Sequence, residues 1–128
     1  MSAEPLLVVD DSPLILRVLT MVLRKAGYNV ETATDGDEAL EKARRLQPPL
    51  IFLDAMMPRK DGYEVARELR RSTDMKRQPY IIMLTALDDK VDHDRARAAG
   101  VDEVMVKPFS PTQVAERVRE ILERARAA

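Results

Sequence analysis

Residues 50–84 read LIFLDAMMPRKDGYEVARELRRSTDMKRQPYIIML, and this stretch decides the fold. Its two ends, LIFL and YIIML, are short apolar runs without polar alternation, as is typical of parallel strands that helices cover on both faces. Between them, Val65, Ala66 and Leu69 recur at the spacing of one helix face. This helix is expected to begin at about Gly62. The stretch therefore predicts a strand, a helix and a second strand that pack as one βαβ unit.

Strand-like runs alternate with helix-like runs along the rest of the chain as well. The five expected strands lie at Leu6–Val9, Asn29–Ala33, Leu50–Leu53, Tyr80–Leu84 and Glu103–Val106. The run Asn29–Ala33 alternates between polar and apolar residues more than the others do, so it suits an edge of the sheet. The pattern predicts an α/β fold in three layers, a doubly wound five-stranded parallel sheet with helices on both faces.

Five helices are expected between and after the strands, and several have readable ends. The first runs from an N-cap at Ser12, followed by Pro13, to a stop at Gly27. The other four begin at about Asp35, Gly62, Asp88 and Ser110. The helix from Asp88 to Ala99 offers only Val91 and several alanines for burial, so it is expected to be the least anchored of the five.

The composition limits the chain to about one domain and excludes several kinds of protein. With 128 residues, of which 45% are apolar, one buried core is expected, and 1–128 is taken as a single domain. The 21 Lys and Arg against 22 Asp and Glu give a net charge of -1, which disfavours sequence-independent nucleic-acid binding. Without cysteine, and with His93 as the one histidine and a surface residue by prediction, zinc and thiol chemistry are nearly excluded.

The sequence also bears on where the protein resides. No apolar run approaches the roughly 20 residues that a membrane span needs, and the N-terminus has no basic segment followed by a long apolar core. We therefore expect a cytoplasmic protein without a membrane partner.

Reactive side chains follow four of the five expected strands. Asp10 and Asp11 come directly after the first strand, Asp54 after the third, Thr85 after the fourth and Lys107 after the fifth. In a doubly wound sheet the ligand site lies beyond the carboxyl ends of the strands, where the strand order reverses. With the first and third strands adjacent at that point, three carboxylates are expected to converge.

Such a cluster of carboxylates needs a cation or a proton. Each like-charged pair about 4 Å apart costs ~4 kcal/mol at an effective dielectric constant of about 20. Oxygen ligands without imidazole or thiolate favour a hard divalent ion, and a site with few protein ligands suits Mg²⁺ better than Ca²⁺. With Lys107 and the Thr85 hydroxyl opposite, the site would suit a phosphoryl group, and one of the carboxylates could be the nucleophile.

Four short motifs at these strand ends resemble those of a known family. They are VVDD at 8–11, FLDAMMPRKDGYE at 52–64, MLTA at 83–86 and VKPF at 106–109. In this order and at these spacings they resemble the receiver domain of two-component response regulators, and the resemblance covers essentially the whole chain. It implies a flavodoxin-like (βα)5 fold with strand order 2-1-3-4-5.

The resemblance also implies a role for each acidic residue of the site. Asp54 would be the phosphoacceptor, taking a phosphoryl group from a phosphohistidine. Asp11 and Asp54 would bind Mg²⁺ through their side chains and Met56 through its backbone carbonyl, whereas Asp10 would act largely through water. The chain would catalyse its own phosphorylation and dephosphorylation without being a turnover enzyme.

The remaining site residues and the partners follow from the same resemblance. Thr85 would bind a phosphoryl oxygen, Lys107 would pair with the acyl phosphate, and the Lys107–Pro108 bond is a candidate cis peptide. The expected partners are a sensor histidine kinase or phosphotransfer protein and an unidentified output partner or missing output domain. Direct nucleic-acid binding is not expected. A homodimer through the fourth helix, fifth strand and fifth helix is possible by analogy only.

The chain departs from the family at three positions. Val104 stands where many receivers have a Tyr or Phe that swings inward, so we expect activation to pass through Thr85, the loop 86–90 and the weakly anchored fourth helix. Met56 and Leu87, which would flank the phosphoryl group, are apolar and cannot orient an attacking water. Slower self-dephosphorylation than in receivers with polar residues there is therefore predicted.

Two other classes of protein share part of this pattern. An aspartyl-phosphate phosphohydrolase would also use an acidic nucleophile and Mg²⁺, but it usually needs a second acid two residues on, where this chain has Met56. A flavodoxin-like nucleotide or flavin binder would need a phosphate-binding loop after the first strand. The sequence from Asp10 to Pro13 would repel phosphate unless a metal were present.

Overall fold

Five parallel strands form one sheet in the computed structural model, which describes residues 5–127. The strands are β1 (Leu6–Val9), β2 (Val30–Ala33), β3 (Leu50–Asp54), β4 (Tyr80–Thr85) and β5 (Glu103–Val106), in the order β2-β1-β3-β4-β5. The predicted strand order and edge position of β2 are confirmed. β1 and β3 are buried throughout and β4 almost throughout, as their unbroken apolar sequences require.

Five helices alternate with the strands: α1 (Pro13–Lys25), α2 (Gly36–Leu46), α3 (Gly62–Arg71), α4 (Lys90–Ala98) and α5 (Pro111–Ala127). Side-chain oxygens cap the first four by accepting a backbone N–H three residues on; the capping residues are Ser12, Asp35, Asp61 and Asp89. The fourth helix therefore begins later than predicted, because Asp89 and not Asp88 is its cap. Asp61 likewise caps α3, directly before the predicted start at Gly62.

The helices cover both faces of the sheet, which gives the three layers that were predicted. α2, α3 and α4 pack on one face, where Ala39, Leu40, Ala43, Val65, Ala66, Leu69 and Ala96 are buried. α1 and α5 pack on the other, where Leu19, Leu23, Val114, Val118, Ile121 and Leu122 are buried. None of the helices within the described residues is long and apolar enough to cross a membrane.

α4 is the helix that contributes least to the core. Its one buried residue is Ala96, and Val91, which the sequence offered for burial, is 75% exposed. His93, predicted to lie on the surface, is half-buried instead, with its Nε2 atom 3.1 Å from Asp88 Oδ1. α4 is thus weakly anchored, as predicted, and Val91 does not help to anchor it.

Candidate functional site

The carboxyl ends of the strands bring together most of the residues selected from the sequence. Val9 of β1 pairs with Leu53 of β3, so Asp10 and Asp54, the next residues along each strand, lie side by side. Both are almost completely buried, at 0% and 5% exposure. Carboxylates so shielded from water need compensating charges, and the site supplies one from β5.

That compensating charge is the ammonium group of Lys107. Its Nζ atom lies 3.1 Å from Asp10 Oδ2 and 3.4 Å from Asp54 Oδ1. The Lys107 N–H donates to the Thr85 carbonyl at 2.7 Å, and the Lys107–Pro108 bond is cis, as predicted. Burial alone would lower the pKa of Lys107, but the hydrogen bond to Asp10 and the two carboxylate charges outweigh it and raise the pKa. Lys107 is therefore held in its charged form.

One ammonium group does not neutralise two buried carboxylates. Burial raises the pKa of Asp54 to about 6, and the neighbouring charge of Asp10 adds to the rise. Lys107 and the N–H of Met56 oppose this increase without cancelling it. The site thus retains an excess of negative charge that a further cation would relieve.

A third carboxylate, on Asp11, completes an acidic cluster. One carboxylate oxygen from each of Asp10, Asp11 and Asp54 lies within 4.8 Å of the others, and Asp11 is exposed to solvent. The donors are oxygens alone, one of them open to water, which is the set that Mg²⁺ prefers over softer metals. These residues could hold a metal, and their chemistry fits a hard divalent cation.

The loop after β3 is shaped around Asp54. The Met56 N–H points to Asp54 Oδ1 at 3.4 Å, and the Ala55 and Gly62 N–H groups donate to Leu84 O and Ala55 O. A Cβ atom at Gly62 would collide with the Asp54 carbonyl oxygen, so only glycine allows α3 to begin this close to the strand. The backbone carbonyl of Met56 as a metal ligand stays a prediction.

Thr85 ends β4 beside these residues and is 4% exposed. Its Oγ1 atom accepts the Leu87 N–H at 3.0 Å, which fixes the start of the loop toward α4. The hydroxyl proton is left over for another acceptor, because the contact from Leu87 uses the oxygen and not the hydrogen. Binding of a phosphoryl oxygen by Thr85 stays a prediction.

Sequence reasoning missed how α4 is attached to α3. The Arg95 guanidinium stacks over the Tyr63 ring at 3.9 Å from its centroid, and it lies 3.6 Å from Asp61 Oδ2. Tyr63 is 2% exposed, so the stacking partner is fixed in the core. No spacing in the sequence links residues this far apart, and no signal there could have identified the pair.

Comparison with known protein families identifies a match that covers most of the chain. The family model described as response regulator receiver domain matches residues 6–119. Among curated proteins, the chain is 46% identical over 125 residues to the alkaline phosphatase synthesis transcriptional regulatory protein PhoP of Bacillus subtilis, covering 98% of this chain and 51% of that protein. It is 45% identical over 124 residues to the probable transcriptional regulator ycf27 of Porphyridium aerugineum, covering 97% of this chain and 50% of the relative. The chain spans about half the length of the curated relatives it matches.

Solved structures give the same match. The chemotaxis protein CheY4 of Vibrio cholerae superimposes with a TM-score of 0.86 at 33% identity, covering 94% of this chain and 99% of that one. A CheY-like response regulator receiver domain protein of Methanospirillum hungatei superimposes with a TM-score of 0.87 at 26% identity, covering 99% and 100%. In both cases the shared fold extends over nearly the whole of each chain.

Proposed function

Because the chain belongs to the response regulator receiver domain family of two-component signalling, we propose that Asp54 is its phosphoacceptor. The donor is a phosphohistidine on a partner histidine kinase or phosphotransfer protein. The observation that carries the proposal is the position of Asp54, almost buried beside Asp10 and within 3.4 Å of the Lys107 ammonium. The Asp54 carboxylate is thus shielded from water, lies beside a second carboxylate and faces the ammonium group of Lys107.

Mg²⁺ is the proposed cofactor of this site. Asp11 and Asp54 would hold it through their side chains, Met56 through its backbone carbonyl and Asp10 largely through water. The oxygen-only cluster and the excess negative charge at Asp54 support this assignment. Bound Mg²⁺ would supply positive charge that screens the oxygens of the incoming phosphoryl group.

The side chains of this chain carry the transfer itself. A carboxylate oxygen of Asp54 forms a bond to phosphorus while the bond from phosphorus to the donor imidazole nitrogen breaks, and that nitrogen keeps the electron pair. The Lys107 ammonium pairs with the acyl phosphate, and the Thr85 hydroxyl donates to a phosphoryl oxygen. Since the chain supplies these groups itself, it catalyses its own modification, and hydrolysis of the acyl phosphate later resets it.

Intact-mass spectrometry with acetyl phosphate as donor tests the proposal. We expect wild-type protein to gain one phosphoryl group when Mg²⁺ is present and to gain none when the metal is chelated. Asp54→Asn should stay unmodified, whereas Asp74→Asn, at an exposed position on the loop after α3, should be modified like the wild type. Modification of Asp54→Asn to the wild-type extent would refute the assignment.

The family to which the chain belongs indicates two kinds of partner. Response regulators interact with histidine kinases and with output partners, and this holds for the family to which the chain belongs. The relatives named above are transcriptional regulators about twice as long as the matched region, so their names do not support the expectation that nucleic acid is no partner. We propose that residues 1–128 form one receiver domain that acts in the cytoplasm. We also propose that this domain acts through an output partner or an attached output domain. A homodimer is part of the proposal by family analogy.

A further inference from the structure

A cavity of about 880 Å³ opens at the amino ends of the strands, at the opposite end of the sheet from Asp54. Pro49, Pro79 and Asp102, which line it, each directly precede a strand and therefore lie at the amino ends of β3, β4 and β5. The C-terminal half of α5 forms one wall through Ile121 and Leu122. The cavity is separate from the acidic cluster, which lies at the carboxyl ends of β1 and β3.

The lining of this cavity is mostly apolar. Besides the arginines discussed below, its walls include Tyr28, Pro49, Pro79, Tyr80, Ile121 and Leu122. Two tyrosine rings and two proline rings give it flat apolar surfaces. A concave site of about 300–1,000 Å³ with apolar walls and a few placed polar groups is the usual form of a small-molecule site.

Two of the arginines on its walls are locked in place by hydrogen bonds. Arg70 donates to the Gly100 carbonyl and to Asp102 Oδ2, both at 2.8 Å, and to the Pro79 carbonyl, also at 2.8 Å. Arg117 donates through Nε and Nη2 to the Glu103 carboxylate at 2.9 and 2.6 Å. These walls are preformed, so a ligand would not pay the entropy of ordering them.

The lining residues of this cavity carry more positive than negative charges. Four arginines line the cavity: Asp102 pairs with Arg70 and Glu103 pairs with Arg117, and Arg77 and Arg124 also lie on its walls. Within the part of the chain that the structure describes, Arg124 forms no ion pair. It lies near enough to Glu103 to contribute to lowering the pKa of that carboxyl. The lining of the cavity therefore carries more positive than negative charge beside its apolar walls.

We propose that this cavity binds a small organic anion that has a flat apolar body and one carboxylate, sulfonate or phosphate group. The apolar body fits between the tyrosine and proline rings of the lining, and the anionic group pairs with Arg124 on the wall. The volume admits a ligand of this size, and the surplus charge selects the anion over a neutral molecule of the same shape. The domain would thus have a second ligand site, at the opposite end of the sheet from the phosphoacceptor.

Amide NMR titrations with three probes test the site. Naphthalenesulfonate has both the flat body and the anion, naphthalenemethanol has the body alone, and methanesulfonate has the anion alone. We expect naphthalenesulfonate to shift the amides of Gln78, Gly100 and Ala125 saturably, with a dissociation constant of about 1 mM or tighter. The two partial probes should bind about tenfold more weakly or not at all.

Matched variants of α5 separate the site from general surface binding. Arg124→Gln should weaken naphthalenesulfonate about tenfold, because a charge-assisted hydrogen bond is lost. Arg119→Gln, on the exposed face of the same helix, should bind it like the wild type, and so should Asp54→Asn. Shifts that do not saturate, that spread over the surface or that survive Arg124→Gln unchanged would overturn the proposal. So would concentration-dependent dimerisation that shifts the same amides without any probe.

Discussion

Met56 and Leu87 stand two residues after the proposed phosphoacceptor Asp54 and two residues after Thr85, at the positions that the resemblance predicts to flank the phosphoryl group. They are 65% and 48% exposed, and both are apolar. Neither can accept a hydrogen bond from a water that approaches the acyl phosphate, other than weakly through the Met56 sulfur. At the scale of single residues, we therefore predict that the absence of a polar side chain at these two positions prolongs the lifetime of the phosphorylated state.

Met56→Asn should shorten the lifetime of the phosphorylated protein. The amide can orient a water for attack on phosphorus, and we expect dephosphorylation to become about tenfold faster. The decay is measured by intact-mass spectrometry after the donor has been removed. Met21→Asn, at a similarly exposed position on α1, should leave the decay unchanged. A lifetime that Met56→Asn does not alter would contradict the prediction.

At the scale of elements, α4 is the segment best placed to move on phosphorylation. It buries only Ala96, and its attachment to α3 rests on Arg95, stacked over Tyr63. Val104 packs half-buried against the core cluster on that side of the sheet, and its side chain has no ring that could rotate at this position. A signal from Thr85 would have to pass through the loop 86–90 to this helix.

Adding a beryllofluoride mimic of the acyl phosphate should shift the amides of residues 86–98 more than those of α1 or α2. Arg95→Ala should enlarge these shifts, because the stacked guanidinium that holds α4 to α3 has been removed. Arg97→Ala, an exposed arginine on the same helix, is the control. If residues 86–98 stay in place while distant amides move, this route of activation is wrong.

The ion pair between Glu103 of β5 and Arg117 of α5 is expected to make the stability of the domain depend on pH. Burial would raise the pKa of Glu103, but hydrogen bonds from Arg117 and Tyr80 outweigh it and lower the pKa below its ordinary value of 4.5. A carboxyl whose pKa falls on folding adds stability above its unfolded pKa, and this is lost as the pH drops through the folded pKa. The pair therefore stabilises the domain at neutral pH and not in acid.

Glu103→Gln should lower the free energy of unfolding by ~1–2 kcal/mol at neutral pH, since the ion pair to Arg117 is partly buried. At an acidic pH, as the lowered pKa of Glu103 is approached and passed, the difference from wild type should be smaller than at neutral pH. Urea denaturation at the two pH values measures both quantities, and Glu123→Gln on the exposed face of α5 should show neither effect. An equal loss at both pH values would be inconsistent with this ion pair.

The extent to which sequence anticipated these elements has a physical basis. Apolar runs such as 50–53 and capping residues such as Ser12 are local signals, so the strands, the helices and the strand ends could all be predicted. Contacts between distant elements are not local: the pairing of Lys107 with Asp10, the stacking of Arg95 and the bonds of Arg70 depend on how helices pack. The late start of α4 at Lys90 and the exposure of Val91 were missed for the same reason.

At the scale of the whole molecule, we predict that the acidic cluster makes the stability of the fold depend on a divalent metal. Three carboxylates repel one another across the ends of β1 and β3, and a bound cation would relieve that repulsion only in the folded state. Metal binding should therefore stabilise the entire cooperative fold, not the loops alone.

Mg²⁺ at about 100 times its dissociation constant should raise the free energy of unfolding by ~2.7 kcal/mol, and chelation should remove the gain. Thermal denaturation followed by circular dichroism measures the change. Asp11→Asn, at an exposed position in the cluster, should lose most of the gain, whereas Asp74→Asn should keep it. An identical gain in the two variants would mean that the metal acts elsewhere.

Chemical trapping of the modified residue tests the central claim most directly. Borohydride reduces an acyl phosphate to an alcohol, so a phosphorylated aspartate becomes homoserine at its own position. After treatment with acetyl phosphate and Mg²⁺, peptide sequencing by mass spectrometry should find homoserine at position 54 and at no other aspartate. Homoserine at a different position, or none from protein that has gained a phosphoryl group, would contradict the account.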